Sequence, residues 1–187
     1  MADDDATLVK RCLTGEEASM RRLVERFQGS VFGLCFRMLG HREDAEDVAQ
    51  DVFVRTFKSL HTWDPSRPFK PWLLTIAANR CRTALMKRNR RPQATEFVSN
   101  EACHDNHEEN EALAEELQMA LEQLREEYRM CIILFHQQEL SLVEVSEILE
   151  RPPGTVKTWL HRARRELAEF LQRRGVVPDA RFELHGV

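Results

Sequence analysis

The chain has 187 residues, 42% hydrophobic and 31% charged, with a formal net charge of −4, a balance that excludes a wholly disordered polymer and suits one or two small domains. Glu, Arg, Leu and Ala number 81 residues while Gly and Pro together number 14, so the expected fold class is all-α. The longest apolar run, Met130 to Phe135, is far short of the roughly 18 residues a membrane span requires. The acidic start, Asp3-Asp4-Asp5, is unlike a secretory signal, and five widely spaced cysteines read as small core residues rather than a disulfide framework. A cytoplasmic protein without membrane insertion is expected. Leu8, Cys12, Leu23, Val24 and Phe27 predict a first helix over 7–27, and the very apolar stretch Ser30 to Leu39 a second, ending at Gly40. From Glu43 to Leu60 apolar residues at 45, 48, 49, 52, 53, 57 and 60 follow an amphipathic helical period. Trp63 to Pro68 is loop by its prolines, Pro71 opens a helix to about Arg91, and Pro92 ends it.

Residues 93–110 are polar and aperiodic and read as an acidic, flexible linker between an N-terminal domain, 1–92, and a second helical domain, 111–174. In the second domain Leu113, Leu117, Leu121 and Leu124 are helically spaced, and Met130 to Phe135 marks a more buried helix. Ser141-Leu142-Val143-Glu144 is a capping box, opening a short helix that ends by Glu150. Arg151-Pro152-Pro153-Gly154 is a turn, and Thr155 starts a long helix with Val156, Leu160, Ala163 and Leu167 inward. Short helix, tight turn and longer polar-faced helix make a helix-turn-helix. The tail, 175–187, carries no assignment.

Charge is segregated along this order. Residues 1–92 hold 17 basic and 12 acidic side chains, 93–127 one Arg against 11 acids, and 128–187 nine basic and eight acidic. Arg80 to Arg91 and Lys157 to Arg165 are basic without an acid, which suggests two contacts with a polyanion separated by an acidic spacer. On the last helix Lys157, Thr158, His161, Arg162 and Arg165 lie opposite the apolar stripe, a face suited to a major groove. On the helix from Pro71, Trp72, Asn79, Thr83 and Arg90 recur at seven, four and seven residues and share one side, where an aromatic ring and cations suit a single strand. Cys103, His104 and His107 have ligand chemistry, but with no paired second motif they do not make a zinc site. No catalytic or cofactor motif stands out, so neither an enzyme nor a cofactor is expected.

Leu140 to Leu149, followed by Gly154-Thr155-Val156-Lys157-Thr158 and Leu160 to Leu167, closely resembles the fourth conserved region of bacterial sigma factors of the extracytoplasmic-function (ECF) group. Asp44-Ala45-Glu46-Asp47-Val48-Ala49-Gln50-Asp51-Val52-Phe53 is similar to the same family's polymerase-binding helix, and Phe69 to Arg80 to its promoter-melting helix. The resemblance implies core RNA polymerase as a partner, with Asp47, Gln50 and Asp51 meeting the basic clamp helices of its largest subunit. It implies promoter DNA as another, melted at the minus-ten element by His61, Trp63, Phe69, Trp72, Asn79, Arg82, Thr83 and Arg90. The minus-thirty-five duplex would be read by Thr155, Lys157, Thr158, His161, Arg162 and Arg165. Members of the group are commonly held by an anti-sigma factor, a candidate third partner, and the family's linker occupies the RNA path of the polymerase. Thr83 stands where the family often has Asp or Asn, Trp159 replaces a usual Arg, and Glu150-Arg151-Pro152 departs from a turn that usually holds a glycine and an apolar residue. The alternatives are a helix-turn-helix regulator that binds duplex DNA without polymerase, and a helical module that titrates another regulator.

Overall fold

In the computed structural model, which describes residues 4–90 and 108–176, eight α-helices carry the described chain and no strand occurs among the described residues: α1 (Asp5–Leu13), α2 (Glu17–Leu39), α3 (Arg42–Ser59), α4 (Phe69–Arg90), α5 (Glu108–Gln123), α6 (Glu126–Ile132), α7 (Leu142–Leu149) and α8 (Pro153–Arg173). A 3₁₀ turn, Leu60–Thr62, follows α3, and a π turn, Ile133–Gln137, follows α6. Most of the expected linker, with Cys103, His104 and His107, and the tail beyond Val176 lie outside the described residues. Helix α5 begins at Glu108, three residues before the sequence pattern places it.

The first break falls earlier than the apolar spacing suggests. Helix α1 stops at Leu13, Gly15 takes φ +85, and α2 then runs unbroken through Gln28 and Gly29. The left-handed conformation at Gly15 is one that only glycine adopts without a Cβ penalty. A glycine inside a helix costs only about 1 kcal/mol against alanine, which the burial of Val31, Leu34, Cys35 and Met38 in the same helix easily outweighs. Helix α2 is therefore the axis of the N-terminal unit, with α1, α3 and α4 packed round it.

In the second unit α8 packs on α6, α7 and α5. The capping box forms as expected: Ser141 Oγ accepts from the Glu144 amide at 3.3 Å, and the Glu144 carboxylate accepts from the Ser141 amide at 2.8 Å. The two units meet directly, α2 against α5, α6 and the π turn, and α4 against α7. Cys12, Cys35, Cys81 and Cys131 are buried and free; burial pushes the Cys131 thiol up to about 12, so it fills space and does not react.

Candidate polymerase and nucleic-acid interfaces

Three surfaces gather the residues singled out in the sequence. The first is the polar face of α3. Asp47 and Gln50 are exposed, and Val54, 50% exposed, continues the same line one turn on. Val54 is an apolar residue off the helix's apolar period, a signal that periodicity alone offered and that marks a contact surface. Asp51 is placed differently. It accepts from Arg55 Nε at 2.9 Å and forms an ion pair with Arg80 of α4. Burial would raise its carboxyl, but the Arg55 hydrogen bond and the Arg80 charge outweigh that and hold it below the usual carboxylate range. Asp51 thus joins α3 to α4 while Asp47 and Gln50 stay open.

The second surface is the loop into α4 and the face that follows. Phe69, 1% exposed, lies between the rings of Phe27, Trp63 and Trp72 at centroid distances of 5.2, 5.5 and 5.5 Å. Trp63 is buried and Trp72 half-buried. The sequence put Phe69 and Trp63 on the DNA-facing surface; here they are the anchor beneath it, because the loop's two prolines bring Phe69 back onto Phe27 of α2. Asp64 Oδ1 accepts from the Ser66 amide at 2.9 Å, an Asx turn that shapes the loop and keeps the Asp64 carboxyl low. His61 and Arg67 remain exposed on this loop. On α4, Asn79 is exposed and accepts from Arg82 at 3.0 Å, and the half-buried Thr83 turns its hydroxyl back to the Asn79 carbonyl at 2.8 Å. Arg90 ends α4, and its side chain lies outside the described residues.

The third surface is the amino-terminal half of α8. Lys157, Thr158, His161, Arg162 and Arg165 are exposed together, with Thr155 half-buried at their edge. Thr158 spends its hydroxyl on the Gly154 carbonyl at 2.9 Å, and Arg165 pairs with Glu169 at 3.5 Å. The turn before the helix works without glycine because Glu150 itself adopts φ 54, at roughly 1–2 kcal/mol. Trp159 packs on Tyr128 of α6 at 6.4 Å, under the Arg125 guanidinium. It replaces a cation by an aromatic brace between α8 and α6.

The Sigma-70 region 2 family model matches residues 23–91, and the Sigma-70 region 4 model matches residues 114–167. The ECF RNA polymerase sigma factor SigW of Bacillus subtilis is 30% identical over 88% of this chain and 95% of its own length. The chain belongs to the ECF group of the sigma-70 family. The ECF RNA polymerase sigma-E factor of Escherichia coli is 32% identical over 90% of this chain and 94% of its own. Among solved structures, CnrH in complex with the cytosolic domain of CnrY shares 27% identity over 91% of this chain and 99% of that one, with a TM-score of 0.70. RpoE of Bartonella quintana, in complex with the anti-sigma factor NepR, shares the fold at a TM-score of 0.69 and 21% identity, over 81% of this chain and 96% of that one.

The matched segments assign the surfaces of this sigma factor to its conserved parts: α3 and the loop into α4 fall in region 2, and the exposed face of α8 in region 4. Region 4 also holds one side of an apolar cleft of about 480 Å³, lined by Leu117, Leu121, Ile132, His136, Leu167 and Leu171 with others. Arg164 Nε donates to His136 Nε2 at 3.1 Å, so that nitrogen carries a lone pair. Burial, then the charge of Arg164, push His136 below its ordinary value of about 6.5; Arg37 also faces the cleft. Just below that value the unfolded chain binds more protons than the folded one, so stability is complete above about pH 6.5 and is lost as pH falls. On going from about pH 7.5 to about pH 5.5, the thermal midpoint of the wild type is expected to fall further than that of His136→Gln, by differential scanning fluorimetry. Equal falls would remove His136 as the cause.

Proposed function

We propose that this sigma factor works as a non-catalytic specificity subunit: α3 docks on core RNA polymerase, the loop into α4 and the Asn79 face hold the melted minus-ten strand, and α8 reads the minus-thirty-five duplex. The observation that carries this reading is the exposure of all three faces on one sigma-70 chain, two of them basic and one acidic. Asp47 and Gln50 offer acceptors to a basic clamp helix. The loop is pre-formed by Phe69 and the Asp64 turn, so little order is lost when a strand binds. Lys157, Thr158, His161 and Arg162 stand at the helix end that meets base edges when a recognition helix enters the major groove.

A partner of the anti-sigma class is consistent with CnrH and RpoE having been solved as complexes. The chain acts where polymerase acts, in the cytoplasm and on the nucleoid, and no helix among the described residues is long and apolar enough to cross a membrane. The test is run-off transcription from a genomic promoter library with purified core enzyme. Transcripts starting at discrete promoters only when the chain is added support the reading. Their absence overturns it, and a specific duplex footprint by the chain alone would favour the stand-alone regulator instead.

A further inference from the structure

The two units touch at the surface given above to the melted strand. Arg67 of the loop donates to Glu147 of α7 at 3.1 Å, and Lys70 Nζ donates to the Gln138 carbonyl at 2.8 Å. Gln138 is 3% exposed, and its side-chain amide donates to the Ser30 carbonyl of α2 at 3.1 Å. Glu126 of α6 lies in the field of Arg82. Deeper in the interface Arg129 donates to Met38 O at 2.8 Å while the same guanidinium holds Glu122 O and Leu124 O at 2.9 and 3.1 Å. Gly33 of α2 admits the Gln137 side chain: a Cβ there would stand 3.1 Å from its Nε2.

The segment that makes these contacts is strained. It is the π turn, Ile133–Gln137, followed by Glu139 at φ 57. Such backbone costs on the order of 1 kcal/mol or more and clusters at switching and binding sites. Here it projects Gln138 between Lys70 and Ser30. A carboxylate on Arg67 and a carbonyl on Lys70 are the acceptors that a phosphodiester strand would otherwise supply.

The same contact is incompatible with reading a promoter. The minus-ten and minus-thirty-five elements are separated by about 25 base pairs, roughly 85 Å of duplex at about 3.4 Å per step. A helix of the length of α8 spans only about 30 Å. With α7 of the helix-turn-helix on Arg67, α8 cannot lie on one element while the loop holds the other.

We propose that the polymerase-free chain is closed, with its own region 4 occupying the minus-ten surface through Glu147 and Gln138, and that binding to polymerase opens it. This rests on the assignment of the Arg67 and Lys70 surface to the melted strand. Glu147 and Arg67 are both half-exposed or more, so charge reversal there leaves each unit folded. The experiment uses the full chain without core enzyme. It measures the radius of gyration by small-angle X-ray scattering, and the affinity for a fluorescein-labelled non-template strand of a promoter selected in the run-off library.

The wild type is expected to be compact and to bind the strand weakly. Glu147→Arg is expected to expand the chain and to bind about tenfold more tightly, since it replaces attraction by like-charge repulsion. Adding Arg67→Glu to Glu147→Arg is expected to restore the compact radius. Equal radii for wild type and Glu147→Arg, with promoter-directed transcription intact, overturn the closed state alone. An expanded variant with unchanged affinity overturns the masking. If the library yields no promoter-directed transcript, the strand-binding assignment fails and this proposal fails with it.

Discussion

Phe69→Ala is expected to lower the stability of the region 2 unit by about 3–5 kcal/mol, the range for emptying a buried aromatic site. Phe69 is 1% exposed and meets three other aromatic rings within 5.5 Å, and each such pair is worth roughly 0.5–1.5 kcal/mol beyond its buried area. A domain of this size has only about 5–15 kcal/mol in total, so the variant is left marginal. Urea unfolding followed by near-ultraviolet circular dichroism reads this directly, since Trp63 and Trp72 flank the cavity. The functional loss should exceed the loss of folded chain. Without Phe69 the loop carrying His61 and Arg67 is no longer pinned to α2, and transcription is expected to stay low at temperatures where the variant is still folded. Phe69→Leu, which keeps most of the volume, should retain most of both. A stability change below about 1 kcal/mol in Phe69→Ala would show that the aromatic cluster is not the loop's anchor.

Why Phe69 could not be placed from sequence, whereas α3 and α8 could, is a matter of range. Period and capping are local: the apolar positions of α3 and the Ser141 to Glu144 box each lie within a turn or two of the backbone they organise. Phe69 follows Pro68 in a polar loop, and an aromatic there reads as a surface stacking group. Its burial depends on Phe27, 42 residues earlier in the chain. The break at Gly15 instead of Gly29 has the same origin, because spacing does not reveal which glycine must take a left-handed conformation and which is carried through by packing. Asp51 shares the polar face with Asp47 and Gln50 by spacing, yet Arg80 on another helix claims it. Gln138 and Glu139 follow no period at all, and the contact they make between the two units has no local signature beyond the break in helical pattern after Phe135.

The claim of Arg80 on Asp51 decides how the polymerase interface is best tested. Reversing Asp51 would break the Asp51, Arg55 and Arg80 cluster and loosen α3 from α4, so a lost interaction with polymerase would carry no information about contact. Asp47→Lys with Gln50→Lys avoids this, because both side chains are exposed and Asp47 has no ion pair with a described residue. Surface changes of that kind usually alter stability by about 0.5 kcal/mol or less. Against a basic partner each lysine replaces an acceptor by a like charge, and measured coupling energies for close interfacial charge pairs run from about 1.5 to 7 kcal/mol. Two such reversals are expected to weaken core binding by about 10³-fold or more, enough to abolish co-purification and run-off transcription while the melting temperature stays near that of the wild type. Val54→Ala on the same line should cost less, about 1 kcal/mol, as the loss of a small apolar contact. Competition with wild type for a limiting amount of core enzyme measures all three. Undiminished competition by the double lysine variant would move the polymerase contact off this face of α3, and the exposed Val54 would then lose its explanation as well.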